Sequence, residues 1–530
     1  MRLKFLLFYY FLLFVISISA QDFGKDYKII PVNKSVREIY DSPCDSPLEN
    51  YIARIHAWID GVQCDTIRSE RNKAKGRRPG KPYPTEAAEW TLNCEIPQVI
   101  IYKDSIGLVF KKDNSCDCHA VGIVHRENGK WLYVGETYCF KKNISDINQW
   151  IENKTVIELS RLRKYEQLKI VSTDTLAFVK YLNVNACEPT SYLLDKLKKY
   201  PLVIYGEFHF RKNSWELLQQ LIKSPEFAAT TGTVFLELSK DAQPELDEFF
   251  NRKTKNPDII LDIFRKEEIA GWNDKGMFDF LNELWEVNRL LKNKIHVVAA
   301  DHSTVFYQYI TSKEQYDSIE ETPCDRNEIM AEIIEKSISN SPDKRNHLFI
   351  VGWGHAYKST ALQIGYWQTN GLSAGYILSE KLGRENVFSI FPHTVISTNE
   401  GDIFGKLRNG LFDWVFEKYG NKPVAFDLNN SPFGNELFDA DNMMRVDVKT
   451  GSFFDNFDGY IFLQSVHEEE QNTPLYELYT DDYIDEIKRR ARITDPRNDS
   501  FWNIKLENLN RNTLFDKLNK EKGQKRWRDL

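Results

Sequence analysis

The sequence predicts an α/β protein, a mostly parallel sheet flanked by helices on both faces. A disulfide-stapled, β-containing N-terminal region precedes the sheet and a C-terminal extension follows it. Three observations carry this expectation. Between residues 200 and 395 five short apolar runs alternate with stretches of helical spacing, which is the pattern of strands covered on both sides by crossover helices. Six of the eight cysteines fall before residue 140, so the N-terminal part has the staples and the centre has the core. The central apolar runs end in or enclose acids and histidines, which places polar chemistry along one edge of the expected sheet.

Residues 1–20 have the layout of a secretory signal. Arg2 and Lys4 precede an uncharged apolar run from Leu6 to Ile16, and Ser17-Ile18-Ser19-Ala20 supplies small residues for cleavage. The run is shorter than the ~18 residues a membrane span requires, and no later segment reaches that length. The expected product is an exported chain, periplasmic or secreted, with no membrane span once the signal is removed. The mature part divides into an N-terminal α+β region at 21–195, an α/β domain at 196–395, and an extension at 396–530 that could complete that domain. The formal net charge of −7 argues against a nucleic-acid partner, which calls for a basic face. The basic stretch Arg68 to Lys81 is rich in Gly and Pro and is expected to be a solvated loop.

In the N-terminal region Tyr51 to Val62 has the spacing of an amphipathic helix. Cys118 to Cys139 alternates about Asn128-Gly129, a strong hairpin signal. A two-residue turn there pairs Glu127 with Lys130 and, counting outward, Cys118 with Cys139. That pair falls at a non-hydrogen-bonded position, where Cα atoms lie ~4.5 Å apart, so a Cys118–Cys139 disulfide is expected. Export into oxidising surroundings favours disulfides over a metal reading of Cys116, Cys118 and His119.

The central runs are Leu202–Tyr205, Thr233–Leu238, Ile295–Ala300, Leu348–Val351 and Val387–Phe391. The helical stretches include Ser214–Lys223, with Trp215, Leu218, Leu221 and Ile222 on one face, and Arg326–Lys336. Further on, Pro423–Leu428 and Gly459–Leu463 have strand character and Tyr483–Arg492 helical character, with a charged tail or surface helix after that.

Open parallel sheets bind ligands beyond the carboxyl ends of their strands. Four consecutive expected strands bring Glu207 and His209, Glu237, Asp301 with His302, and His355 to that edge. Carboxylates and imidazoles together hold a divalent metal or move protons. The expected site is therefore Glu207, His209, Glu237, Asp301, Arg326 and His355, with Glu207, His209, Glu237 and His355 as a metal-ligand set. Glu207 and His209 would activate water, and Arg326 would pair with an acid or a substrate carboxylate. Arg211 and Lys212 would add positive charge at a helix start or simply be solvated. His296 and His347 fall at the opposite ends of their strands and stay outside the site. There is no Gly-x-Ser-x-Gly elbow and no phosphate loop of the Walker type.

Gly206-Glu207-Phe208-His209, Phe235-Leu236-Glu237-Leu238, Asp301, Arg326-Asn327-Glu328-Ile329-Met330-Ala331 and Gly352-Trp353-Gly354-His355 come in an order that resembles one superfamily. It joins erythromycin-esterase-like hydrolases, ChaN-like haem-binding uptake proteins and TraB/Tiki proteins. The resemblance covers about residues 200–395. It implies an α/β core with a cleft lined by these residues, where esterase-like members activate water with the first-motif His. Tiki-like members cleave peptides with a metal, and ChaN-like members bind haem. The implied partners are a small-molecule, ester or peptide substrate, or haem with His209 or Tyr357 as axial ligand. The implied cofactor is a divalent metal or, alternatively, haem. Two departures stand out: Phe210 occupies a position where Gly is common, and the late motif has one His, with Gly352 and Lys358 three residues either side of His355 where esterases usually carry a second His.

Overall fold

The computed structural model describes residues 27–40, 46–59, 85–113, 118–127, 129–140, 148–149, 151, 155, 172–266, 275–302, 310–320, 325–359, 372–397, 404–438, 451–470, 473–494, 500–501 and 504–521. The expected signal segment, the basic stretch and Cys44, Cys64, Cys116 and Cys324 lie outside them. The chain splits into two compact units, Met1–Ile170 with Ser397–Gly405 and Val171–Ile396 with Lys406–Leu530. Among the described residues no helix is long and apolar enough to cross a membrane.

The first unit is an antiparallel sheet of β1 (Tyr27–Ser35), β2 (Glu95–Tyr102), β3 (Ile106–Lys111), β4 (Cys118–Glu127) and β5 (Lys130–Phe140), paired in that order. Helix α1 (Pro47–Ile59) buries Tyr51, Ile52 and Ile55 with Val99, Val109 and Val124 of the sheet, while Ile100, Tyr102, Phe110 and Val121 form a second cluster.

The expected hairpin forms, with Glu127 opposite Lys130 and Gly129 at φ +82°. Its register corrects the cysteine expectation. A bulge shifts the pairing between Val124–Tyr133 and Ile123–Gly135, and beyond it Cys139 faces His119 while Cys118 faces Phe140. One inserted residue reverses the alternation of every later pair, so the geometric basis for a Cys118–Cys139 bond is gone. The side chains of these two cysteines are outside the described set.

The second unit is built on a seven-stranded sheet. Its strands are β6 (Leu202–Glu207), β7 (Thr231–Ser239), β8 (His296–Asp301), β9 (Asn346–Gly352), β10 (Val387–Pro392), β11 (Val424–Asp427) and β12 (Gly459–Phe462). The spatial order is β11-β12-β10-β6-β9-β7-β8, parallel throughout except for the antiparallel edge strand β11. From the central β6 the chain moves out to β7 and β8, returns to β9 beside β6, and crosses to β10 on its other side. That reversal of direction creates a crevice at the carboxyl end of β6.

Both sheet faces are covered, as the apolar runs require. On one face Val203, Tyr205, Val234, Leu236 and Ile350 pack with Trp215, Leu218, Leu221 and Ile222 of α2 (Lys212–Lys223). On the other, Leu202, Ile204, Phe235, Phe349 and Val351 pack with Met330, Ala331 and Ile334 of α3 (Arg326–Asn340). The extension is part of this unit: β11 and β12 extend the sheet, and Tyr483, Ile484 and Ile487 of α4 (Asp481–Thr494) enter the first core. So do Leu514 and Leu518 of α5 (Arg511–Glu521), where a charged tail or surface helix was expected.

Candidate functional site

Sheet order makes the ends of β6, β9, β7 and β8 neighbours, so Glu207, Gly352, Glu237 and Asp301 follow one another along one edge. Strand alternation divides them. Glu207 is in phase with Val203 and Tyr205 of the first core, and Glu237 with Phe235 of the second. The two carboxylates therefore anchor two separate groups that meet at Gly352.

The first group is Glu207 with His209. Glu207 Oε1 is paired with His209 Nδ1, while Glu207 Oε2 is buried without a hydrogen-bond partner. Burial opposes a charge on the imidazole, but the neighbouring carboxylate outweighs it and holds the His209 pKa up at about 9. His209 is thus protonated at neutral pH. It sits in a turn where Phe210 takes φ +67°, a left-handed conformation that Gly adopts without strain. The departure noted in the sequence thus falls at a strained position.

The second group is centred on Arg326, in the first turn of α3. Asp325 caps that helix, its Oδ1 accepting from the N–H of Asn327 and Glu328, which turns Arg326 and Asn327 toward the edge. Arg326 Nη2 donates to Glu237 Oε1 at 2.8 Å, Nε donates to Asp301 Oδ1 at 3.1 Å, and Nη2 also contacts Asp301 Oδ2. Asp301 Oδ1 also accepts the His302 N–H at 2.7 Å and lies 2.9 Å from His302 Nδ1. Glu237 Oε2 accepts the Gly352 N–H at 2.7 Å. Burial pushes the carboxyls of Glu237 and Asp301 up. For Glu237 it is outweighed by His355 and Arg326, and for Asp301 by Arg326, so both end below the usual carboxylate range.

His355 lies in the turn Trp353–His355 after β9. This turn folds back over β6, with Trp353 Cα and Ala356 Cβ each 3.1 Å from where a Cβ on Gly206 would stand. His355 Nδ1 is 2.7 Å from Asn327 Oδ1, which also accepts the Ala374 N–H at 3.1 Å. A backbone N–H only donates, so the atom it meets is the amide oxygen, and His355 Nδ1 must carry a hydrogen. Nε2 of the neutral ring then presents a lone pair, 3.5 Å from Glu237 Oε1. Burial pushes the His355 pKa down, only partly offset by Glu237.

Gly352 joins the groups. A Cβ there would stand 3.1 Å from His209 Cε1 and 3.3 Å from Glu237 Oε2. All six expected residues thus lie along the edge. Asn327, His302 and the Gly352 N–H belong with them. The strand reading brings His302 to this edge with Asp301, while Asn327 has no signal but its place beside Arg326 in the motif.

The metal-ligand expectation does not fit. Among the described residues no group of three or more His, Cys, Asp or Glu is arranged to hold a metal ion. The donors show why: the Arg326 guanidinium sits where a cation would neutralise Glu237 and Asp301, and Glu207 is spent on His209. Tyr357 does not qualify as a haem ligand, because it is buried against Trp353, Phe438 and Phe457. Arg211 is buried and ion-paired, not solvated. Lys358, at one of the two places where a second His is usual, is buried too and donates to the carbonyls of Arg384 and Val387 and to Asp458.

Fold and edge together define a class: a doubly covered α/β domain with an acid–imidazole cluster beyond its strand ends. No known protein family model and no curated protein matches the chain. Among solved structures the fold is similar to a succinoglycan biosynthesis protein, at 11% identity and TM-score 0.41 over 56% of this chain and 98% of that one. It is also similar to an erythromycin esterase mutant in its open conformation, at 12% identity and TM-score 0.35 over 53% and 94%. A third likeness is to the haem-binding ChaN of Campylobacter jejuni, at 16% identity and TM-score 0.25 over 40% and 91%. At these scores and identities the likenesses carry no argument about family or function.

Proposed function

We propose that the chain is an exported hydrolase that works by acid–base chemistry with His355 as the base and His209 as the acid. The observation that carries this reading is the Asn327 contact, which fixes the His355 tautomer and turns its Nε2 lone pair toward the cluster. Water attacking an ester or amide carbonyl would give a proton to Nε2. Glu237, held by Arg326, would stabilise the imidazolium so formed. His209, already protonated, would supply a proton to the departing oxygen or nitrogen as the carbon–heteroatom bond breaks. His355 would then return its proton to solvent and His209 would take one up, which restores both groups. This reverses the roles expected from the sequence, because the Glu207 carboxylate keeps His209 in its acid form. Export is supported by the basic start and apolar run of residues 1–16.

The test uses purified protein against para-nitrophenyl butyrate, a set of lactones and a peptide mixture. His355→Gln should lower kcat on the responsive substrate ~10²–10⁴-fold. Activity should rise as His355 loses its proton, below its ordinary pKa of ~6.5, and fall as His209 loses its own at about 9. No turnover of any probe, or an intact kcat in the variant, overturns the reading. Haem binding is the alternative, now with His209 as its remaining axial candidate. A haem absorption band lost in His209→Gln would establish it.

A further inference from the structure

We infer that the segment following β12 is a clamp that positions His209, acting through two successive ion pairs. Only residues 208–211 separate the end of β6 from the start of α2, and Phe210 among them is held at φ +67°. A strained turn this short keeps its shape only if its far end is fixed. Arg211 fixes it. Its guanidinium is among the largest fully buried side chains of the described residues, with Nε 2.7 Å from Glu469 Oε1 and the two side chains 2% and 1% exposed. The contact is an ion pair without hydrogen-bond alignment, since neither atom has a hydrogen-bond partner. Arg211 Nη1 donates to the His393 carbonyl at 2.5 Å, which ties the turn to the end of β10 as well. The next residue, Lys212, donates to Glu470 Oε2 at 2.9 Å. Consecutive cations on the turn thus meet consecutive acids on the C-terminal segment.

A buried guanidinium without its counter-ion is strongly disfavoured, so Arg211 stays where Glu469 is. His209 lies two residues away and is held by Glu207 on its other side. Arg211 and Glu469 are therefore positioning residues: they touch no reacting group and act through the place of His209. The inference rests on the hydrolytic reading only for its kinetic arm.

The experiment uses the full chain with Glu469→Gln, and Glu469→Asp as a second variant that keeps the charge. The low-field proton resonance of the His209 N–H bound to Glu207, assigned by its absence in His209→Gln, reports position without substrate. Glu469→Gln should shift or broaden that resonance and lower kcat on the ester about tenfold or more with KM little changed, since small misplacements of a reacting group are costly in rate. Glu469→Asp should recover most of both. A folded Glu469→Gln protein with resonance and kcat intact overturns the clamp. If neither variant folds, hydrogen exchange on the wild type decides. Amides of residues 209–212 must exchange as slowly as those of β6, and rapid exchange overturns the proposal. A perturbed resonance in a protein that hydrolyses no probe leaves the clamp standing and removes the hydrolytic reading.

Discussion

Arg326 stands between two carboxylates almost wholly shielded from water, so Arg326→Met, which keeps the length and apolar stem, isolates the contribution of its charge. Glu237 and Asp301 are 3% and 5% exposed and would lose their shared cation. Removing one partner of a buried ion pair costs about 3–5 kcal/mol. Arg326 itself is 22% exposed, and the N–H groups of Gly352 and His302 remain in place. Both facts put the cost near the lower end, about 3 kcal/mol. At roughly 2–4 °C per kcal/mol for a large domain, the melting temperature should fall by roughly 6–12 °C. The pH dependence has a definite sign. Both carboxyls have depressed pKa values in the wild type. The stability they contribute is full above the unfolded carboxylate range, ~3.9–4.3, and is lost as pH falls through the lower folded values. In the variant the Arg326 charge no longer opposes burial, so the carboxyls protonate more readily. The gap in melting temperature should be widest near pH ~7.5 and narrow toward pH ~4.5 as the variant's carboxyls take up protons, both conditions lying above the unfolded carboxylate range of ~3.9–4.3. Melts followed by circular dichroism at the two pH values measure it. An unchanged melting temperature, or a gap independent of pH, would refute the role given to Arg326.

Two other substitutions probe the edge. Gly352→Ala places a methyl 3.1 Å from His209 Cε1 and 3.3 Å from Glu237 Oε2; the His209 ring must move, so kcat on the responsive substrate should fall about tenfold or more while the melting temperature changes little, and unaltered kinetics would mean that the ring does not work from this position. Phe210→Gly relieves a left-handed residue worth ~1–2 kcal/mol and loses some of that gain to unfolded-state entropy. It should leave stability unchanged or raise it by up to about 1 kcal/mol, whereas Phe210→Val should lower it, and thermal melts that rank Val above Gly would contradict the positive φ.

Much of the central fold was legible because buried parallel strands leave a strong mark. Val-Phe-Leu-Glu-Leu, covered on both faces, is apolar without alternation, and the observed β7 extends only two residues before and one after the expected run. The apolar face of Trp215, Leu218, Leu221 and Ile222 likewise lies in the core. What failed depends on single residues. The bulge between Tyr133 and Gly135 leaves the hairpin and its turn intact, yet it moves Cys139 from Cys118 to His119. Within Trp131-Leu132-Tyr133-Val134-Gly135 the one local hint is Gly135, a glycine inside a strand pattern. Leu514 and Leu518 are buried in a stretch whose charge suggested a tail, because two leucines four apart suffice to seat a helix on an existing core.

Which residues reach the edge was legible and how they connect there was not, for a reason tied to the strands themselves. Strand ends tell which residues reach an edge. They do not tell how acids and cations pair there, because the pairing is set by strand phase and by partners far along the chain. Glu207 and Glu237 look equivalent in sequence, each an acid near the end of an apolar run. Opposite phase gives one to His209 and the other to Arg326. A carboxylate paired only with an imidazole makes the ring an acid at neutral pH. At the other pair burial outweighs the carboxylate, with the guanidinium adding to it, so the imidazole is neutral and able to accept a proton. Two similar Glu–His pairs on one edge therefore hold their histidines in opposite protonation states: the Glu207 carboxylate outweighs burial at His209, while burial outweighs Glu237 at His355, with Arg326 adding to the lowering.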